Sequence, residues 1–311
     1  MGKIKVLPTS RVGVGPLSEM AAELRAMLPG WEDTKPGSER LRLPSDLRLD
    51  LEHLAQHDTN GLLVASEGAE VLGLVTSFVR SRHLVVSQLW VLPELISGEV
   101  PRTLVRRAIL FGERSGATKV VFHALTPWQL ALGVQFALAP VFPCLRLTLA
   151  QEQAQALGHQ LARLLPGAEV TKEALERRAF FADVERLDRL VRGFARPMDH
   201  EYWLLERNLQ LAVVREGERV TAYGYGGTEQ CGPVVGATEE SALAALGWAL
   251  GFAANAGSNE RGMVFLLVPV SFAKAVEQLL EVGAEALAAS FWLSNEPPRT
   301  NYFIPASLSL L

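Results

Sequence analysis

Cysteine is nearly absent. Cys144 and Cys231 are the only two in 311 residues. So few thiols give no metal-ligand spacing, and no structural disulfide is expected. Both read as buried, unreactive side chains. Lysine is scarce too, six against 24 arginines, which reads as a coding bias and not as a function. No charge of one sign dominates: the net charge is −4, so nothing draws the chain to nucleic acid. Long hydrophobic runs are also lacking. The longest, Ala242–Ala256, is rich in Ala and Gly and falls short of the roughly 20 residues that span a bilayer. Met1–Leu7 carries Lys3 and Lys5 without the apolar core of a secretion signal. These absences point to a cytoplasmic protein with neither membrane nor nucleic acid as a partner.

What is present is enough apolar residue for sizeable cores and enough length for two domains. The stretch Leu84–Leu104, LVVSQLWVLPELISGEVPRTL, organises the first half. An apolar strand ends at Val91-Leu92-Pro93, a short loop follows, and a helix is expected to open at Pro101. Free N–H groups and the positive end of a helix dipole then converge on one spot, a common way to hold an anion. Gly98 and the cations Arg102, Arg106 and Arg107 stand beside it.

Around this stretch the pattern predicts helices over Pro16–Leu28 and Asp46–Gln56, with a Pro- and Gly-rich loop at 29–46 between them. A hairpin over Gly61–Phe78 turns at Glu67-Gly68-Ala69-Glu70. Strand Leu84–Leu92, helix Pro101–Ser115, strand Lys119–Leu125, helix Trp128–Leu138 and strand Cys144–Leu149 complete the half. The second half opens with helical segments over Gln153–Leu165 and Lys172–Phe194, the latter expected to be broken. Glu173/Arg177, Glu185/Arg189 and Asp188/Arg192 are spaced as helical ion pairs, which predicts a solvated, salt-bridged face.

The chain repeats itself. LLVASEGAEV at Leu62–Val71 matches LAVVREGERV at Leu211–Val220, an offset of 149. Val121-Phe122 matches Val264-Phe265, and Pro140 matches Gly283, at an offset of 143. Two copies of one β-rich unit follow, 1–150 and 151–311, in an α/β (α+β) architecture with a mixed sheet. The second copy lacks the loop, because CGPVVGATEESALAAL passes almost directly from Val234-Val235 to a helix near Thr238.

This order of elements, with Val91-x-Pro93 running into a loop and helix, resembles the GNAT acetyltransferase superfamily. The paired copies resemble its tandem members, whose C-terminal copy often carries a run like Gly232-Pro233-Val234-Val235-Gly236. The resemblance implies acyl transfer from acetyl-CoA, or another acyl-CoA, to an amine. The N-terminal half would bind the cofactor and the C-terminal half would shape the acceptor site. It implies that the backbone of Leu89, Trp90 and Val91 faces the thioester. Ser97, Gly98, Arg102 and Arg106 would surround the pyrophosphate. Three signature positions depart from the family: its Gln/Arg falls on Ile96, and its glycines fall on Glu99 and Pro101. The family's proton-donating Tyr falls on Phe136. These departures support the rival expectation of a fold kept for binding without transfer, or for another phosphate-bearing ligand. Of His83 and His123, the resemblance places His123 nearer the reaction as a base, and a lone strand histidine also has a structural reading. No metal is implied. The acceptor and the oligomeric state stay open, with a homo-oligomer among the options.

In the second half, Tyr223-Gly224-Tyr225-Gly226 alternates. Both rings fall on one strand face and bare backbone on the other, which suits a binding floor or a tightly packed core. Trp128, Tyr202, Trp203 and Trp292 read as core or inter-domain aromatics.

Overall fold

A computed structural model describes residues 4–9, 13–26, 45–166, 169–170, 178–228, 230–256, 262–296, 302–307 and 310. The expected loop at 29–46 lies outside them save for Ser45 and Asp46, which open a helix, and the pair Glu173/Arg177 lies outside them too. The chain forms two compact units, Met1–Val141 with Ser290–Glu296, and Phe142–Ala289 with Pro297–Leu311.

The first unit runs β1 (Lys5–Pro8), α1 (Val14–Ala26), α2 (Ser45–His57), β2 (Leu62–Glu67), β3 (Glu70–Arg80), β4 (His83–Val91), α3 (Glu99–Arg114), β5 (Lys119–Ala124) and α4 (Pro127–Gln135). β1 to β4 form an antiparallel meander. β4 then pairs with β5 in parallel, the crossover being α3. A β-bulge in β4 decides which side chains reach the core. Thr76 faces Gln88 while Ser77 faces Val86, so Ser87 is the extra residue. Its hydroxyl meets Thr76 Oγ1 at 2.8 Å. The extra residue switches the alternation, and Leu84, Val86, Leu89 and Val91 all join one core with Leu104, Val105, Ala108 and Phe122.

α3 begins at Glu99, two residues before the expected start, with Gly98 as its N-cap. Pro101 fits there because N–H groups of the first turn have no intrahelical acceptor to lose. The other expected elements of this half recur with ends shifted by a few residues. β1 is an element the sequence did not announce.

β6 (Ala139–Ala150) leads into the second unit, and the chain continues with α5 (Gln151–Ala162), β7 (Glu169–Val170), α6 (Arg178–Val191), α7 (Pro197–Leu205), β8 (Gln210–Glu216), β9 (Arg219–Gly227), β10 (Gln230–Gly236), α8 (Glu239–Asn255), β11 (Met263–Pro269), α9 (Ala273–Glu281), β12 (Glu285–Ser294), whose end returns to the first unit, and β13 (Phe303–Ile304). Its strands β7, β8, β9, β10 and β13 form one antiparallel sheet. α8 needs no loop before it, since Thr238 caps it directly, its hydroxyl accepting from the Ser241 N–H.

The closing strands are exchanged. By the repeat, β6 corresponds to β12 and β5 to β11. Yet β5 pairs with β12, Phe122 facing Leu293, while β11 pairs with β6, Phe265 facing Thr148. Residues Ser290–Glu296 therefore complete the first unit from far along the chain, and residues from Phe142 onward complete the second.

Candidate functional site

β4 and β5 hold together only at their beginnings, from His83–Val86 against Lys119–Phe122. Beyond that they part. A cavity of about 290 Å³ lies at the end of β4. Leu89, Trp90 and Val91 of β4 form one wall, continued by Pro93 and Ile96 of the following loop. Leu24 of α1 and Thr126, Trp128 and Gln129 at the start of α4 form the rest. The size is at the lower end of small-molecule sites. Among the described residues, no lining side chain is ionisable.

Gln129 spans the gap between the parted strands. Its Nε2 donates to the Leu89 carbonyl at 2.7 Å, and its Oε1 accepts from the Leu125 N–H at 2.6 Å. Two backbone groups that the parting would strand in a buried place are thereby satisfied. Thr126 caps α4, accepting from the Gln129 N–H, and sets the start of the helix that carries both Trp128 and Gln129. On the other face of β4, Trp90 Nε1 donates to Gln88 Oε1 at 2.6 Å, so a buried indole keeps a partner.

Of the residues expected at the site, Leu89, Trp90 and Val91 line the cavity, and Trp128 joins them as a wall residue. Ser97, Gly98, Arg102 and Arg106 do not line it. They sit where α3 begins, with Ser97 and Arg106 exposed. The Gly98 N–H donates to the Leu95 carbonyl at 3.0 Å, closing a turn after the short 3-10 helix Pro93–Leu95. Arg102 reaches Glu99 Oε1 at 3.3 Å and Gln135 Oε1 at 3.2 Å. The acidic residue at this helix start thus has a neighbouring guanidinium.

His123 is set back from the cavity lining, buried on β5. Its Nε2 lies 2.7 Å from Ser290 Oγ, and its ring packs near Trp292. Burial, against a weaker opposing pull from the Ser87 backbone, lowers its pKa to about 3. The imidazole is therefore neutral at ordinary pH and a weak base.

In the second unit the strand next to β10 is a different one. β13 pairs with β10, Val234 facing Ile304 and Val235 facing Phe303, and it also packs on β11. What sequence reading missed there is a buried polar cluster. Tyr223 and Tyr225 do share a face, as expected, but they meet charged partners. Tyr223 OH donates to Asp188 Oδ1 and accepts from Arg196 Nη2 at 2.8 Å. Asp188 Oδ2 meets Arg196 Nε at 3.2 Å and His200 Nε2 at 2.9 Å. His200 Nδ1 lies 2.8 Å from Tyr225 OH. The Arg196 guanidinium also stacks 4.6 Å over Trp203. Asp188 is thus buried, where the helical pair with Arg192 predicted a solvated face. The Glu185/Arg189 pair does form, at 2.7 Å, on the surface. The signal for Asp188 was available: it is four residues from Val184 and next to Leu187, on the stripe that α6 buries.

Burial pushes Asp188 toward the neutral acid, yet Arg196, His200 and Arg192 outweigh it and hold the carboxyl at about 2. Burial and repulsion from Arg196 lower Arg192 to about 9, partly offset by Asp188. Tyr223 and both cysteines are raised, by burial above all, so the cysteines are the inert thiols expected. Among the described residues no group of three or more His, Cys, Asp or Glu is placed to hold a metal ion, and no helix is long and apolar enough to cross a membrane.

The fold defines the class. The chain has the GNAT fold, built twice in tandem. A candidate acetyltransferase from Pyrococcus horikoshii superposes with a TM-score of 0.73 at 12% identity, over 99% of this chain and 96% of that one. A GCN5-related N-acetyltransferase from Sphaerobacter thermophilus gives 0.60 at 12% identity, over 96% of each. A tandem GNAT protein from the clavulanic acid biosynthesis pathway gives 0.59 at 14% identity, over 94% of this chain and 98% of that one. No protein-family model matches the sequence, and no curated protein matches it.

Proposed function

We propose that this protein is a cytoplasmic N-acyltransferase whose first unit takes an acyl-CoA between β4 and β5 and passes the acyl group to an amine. The observation that carries the reading is the parting of these strands beside a cavity walled by Leu89–Val91. Solved structures of the same fold described as acetyltransferases give it support. In this reading the backbone of Leu89, Trp90 and Val91 lies along the thioester. The start of α3, with Ser97, Gly98, Arg102 and Arg106, lies along the phosphates, and Arg102 must leave Glu99 or share it. Acetyl-CoA is the simplest co-substrate.

The chemistry balances without a metal or a redox step. A neutral amine attacks the thioester carbonyl carbon, the C–N bond forms, and the C–S bond breaks. The amine loses one proton and the departing thiolate gains one. His123 is the imidazole assigned to this reaction by resemblance, but its depressed pKa makes it a weak base and it stands behind the cavity lining, so water is left to carry the amine's proton away. Phe136 has no proton to give, so water also serves the thiolate.

A second reading is favoured by a lining that, among the described residues, has no ionisable side chain: a GNAT fold retained to bind an acyl thioester without transferring it. Calorimetric titration of the full chain with acetyl-CoA and with CoA tests the common premise, and thiol release over a panel of amines separates the two. Micromolar binding with thiol release supports transfer. Binding without release for every amine supports the second reading. No heat and no thermal shift at millimolar cofactor rejects both.

A further inference from the structure

Building on the acyl-CoA reading of the first unit, we infer that its cavity is an acyl-chain pocket, selecting a thioester whose acyl group is uncharged, apolar and several carbons longer than acetyl. Among the described residues the lining is mostly hydrocarbon and indole, from Leu24, Leu89, Trp90, Ile96 and Trp128. The side-chain amide of Gln129 is already engaged at both ends. Gln129 has its carbonyl oxygen on the Leu125 N–H and its amide on the Leu89 carbonyl. Thr126 accepts from the Gln129 N–H. A carboxylate or ammonium entering this space would lose its hydration and, among the described lining residues, meet no side chain of opposite charge. An alkyl chain loses nothing.

Volume points the same way. A water molecule occupies about 30 Å³ of liquid, and a methylene is of similar size. A cavity of about 290 Å³ therefore exceeds what an acetyl group fills. An acyl chain of several carbons buries more hydrocarbon against these walls than an acetyl methyl does. The wall begins at Leu89–Val91, the stretch that this reading sets along the thioester, so the space adjoins the acyl carbon and not the far end of an acceptor.

The test is a calorimetric series on the full chain with free CoA, acetyl-, butyryl-, hexanoyl- and octanoyl-CoA. Affinity is expected to rise roughly fourfold per added methylene until the cavity is full, then level off. Ile96→Trp, at a rim position 36% exposed, should flatten that rise, the affinity of each thioester being read relative to that of free CoA for the same variant. A Leu24→Trp variant checks the same filling from α1. A parallel arm titrates butyl-, hexyl- and octylamine in the presence of saturating CoA. Measurable CoA binding with equal affinity for acetyl- and hexanoyl-CoA would overturn the inference and leave the acyl-CoA reading standing. Chain-length dependence in the amines alone would overturn it too, by giving the pocket to the acceptor. Failure of CoA and every thioester to bind would remove the acyl-CoA reading itself, and this inference with it.

Discussion

Asp188 has no exposure to water and is nonetheless ionised. A lone carboxylate in that position would take up a proton. Tyr223, Arg196 and His200 prevent it by supplying hydrogen bonds and charge. The consequence for stability has a definite sign. The folded carboxyl titrates at about 2, below its ordinary 3.8. Its stabilisation is thus complete above about pH 4 and is lost as pH falls toward 2. The depression corresponds to roughly 2 kcal/mol. Asp188→Asn removes the charge and leaves Arg196 and Arg192 buried near one another without it, an expected loss of about 3–5 kcal/mol at pH 7. Urea unfolding followed by tryptophan fluorescence at pH 7 and pH 3 checks both statements, with Trp203 a reporter inside the cluster. The variant should also have a flatter acid limb than the parent. An Asn variant as stable as the parent, with the same acid limb, would show that the cluster contributes nothing.

Between elements, the second unit depends on missing side chains. The rings of Tyr223 and Tyr225 fill one face of β9, while Gly224 and Gly226 on the other face let α8 lie against the strand. A Cβ on Gly224 would stand 2.4 Å from the Ala245 carbonyl oxygen, and one on Gly226 2.2 Å from that of Ala249. α5 and α8 cross in the same way at Gly158 and Gly247, where a Cβ on Gly247 would come within 2.4 Å of the Ala162 nitrogen. The obstacle is backbone and cannot swing aside. Gly247→Ala must push the helices apart, at about 1–3 kcal/mol. Gly251 lies one turn further along α8 and faces nothing within 4 Å. Gly251→Ala should be neutral or stabilise by up to about 1 kcal/mol, through helix propensity alone. Thermal melts of the two variants should therefore move in opposite directions, and a shared direction would refute the crossing as the cause. The alternation Tyr-Gly-Tyr-Gly made this close approach readable in advance. It did not tell that the ring face would meet an aspartate and an arginine, since those arrive from α6 and the turn before α7, distant in sequence.

Over the whole chain, local pattern fixed most elements and left the partners undetermined. Val91-x-Pro93, the Glu-Gly hairpin turns and the loop-free passage into α8 were all visible as text. The cavity wall at Leu89–Val91 followed from the fold that the text resembled. Pairing is another matter. β5 and β11 carry the same Val-Phe signature, so nothing local says which closing strand each receives, and the exchange of β6 and β12 was not legible. β13 was missed because two paired residues have no period.

The exchange carries the strongest consequence for cutting the chain. A fragment ending at Ala150 retains β1 to β5 and lacks Ser290–Glu296. Val121, Phe122, His123 and Ala124 lose their partners Ser294, Leu293, Trp292 and Phe291, and His123 loses the Ser290 hydroxyl. Leu293 has no solvent exposure, belongs to the core of the first unit, and packs where Gly133 leaves room for it. Its burial alone is worth about 1.5–3 kcal/mol, against a whole-domain stability of about 5–15 kcal/mol. The bared edge of β5 would also invite association with other chains. Fragment 1–150 is therefore expected to aggregate or to melt without a cooperative transition. A synthetic peptide spanning Glu285–Glu296, added in trans, should restore a sharp melt, and the same peptide with Leu293→Asp should not. A fragment 1–150 that stays monomeric and melts cooperatively unaided would show that β12 is dispensable to the first unit.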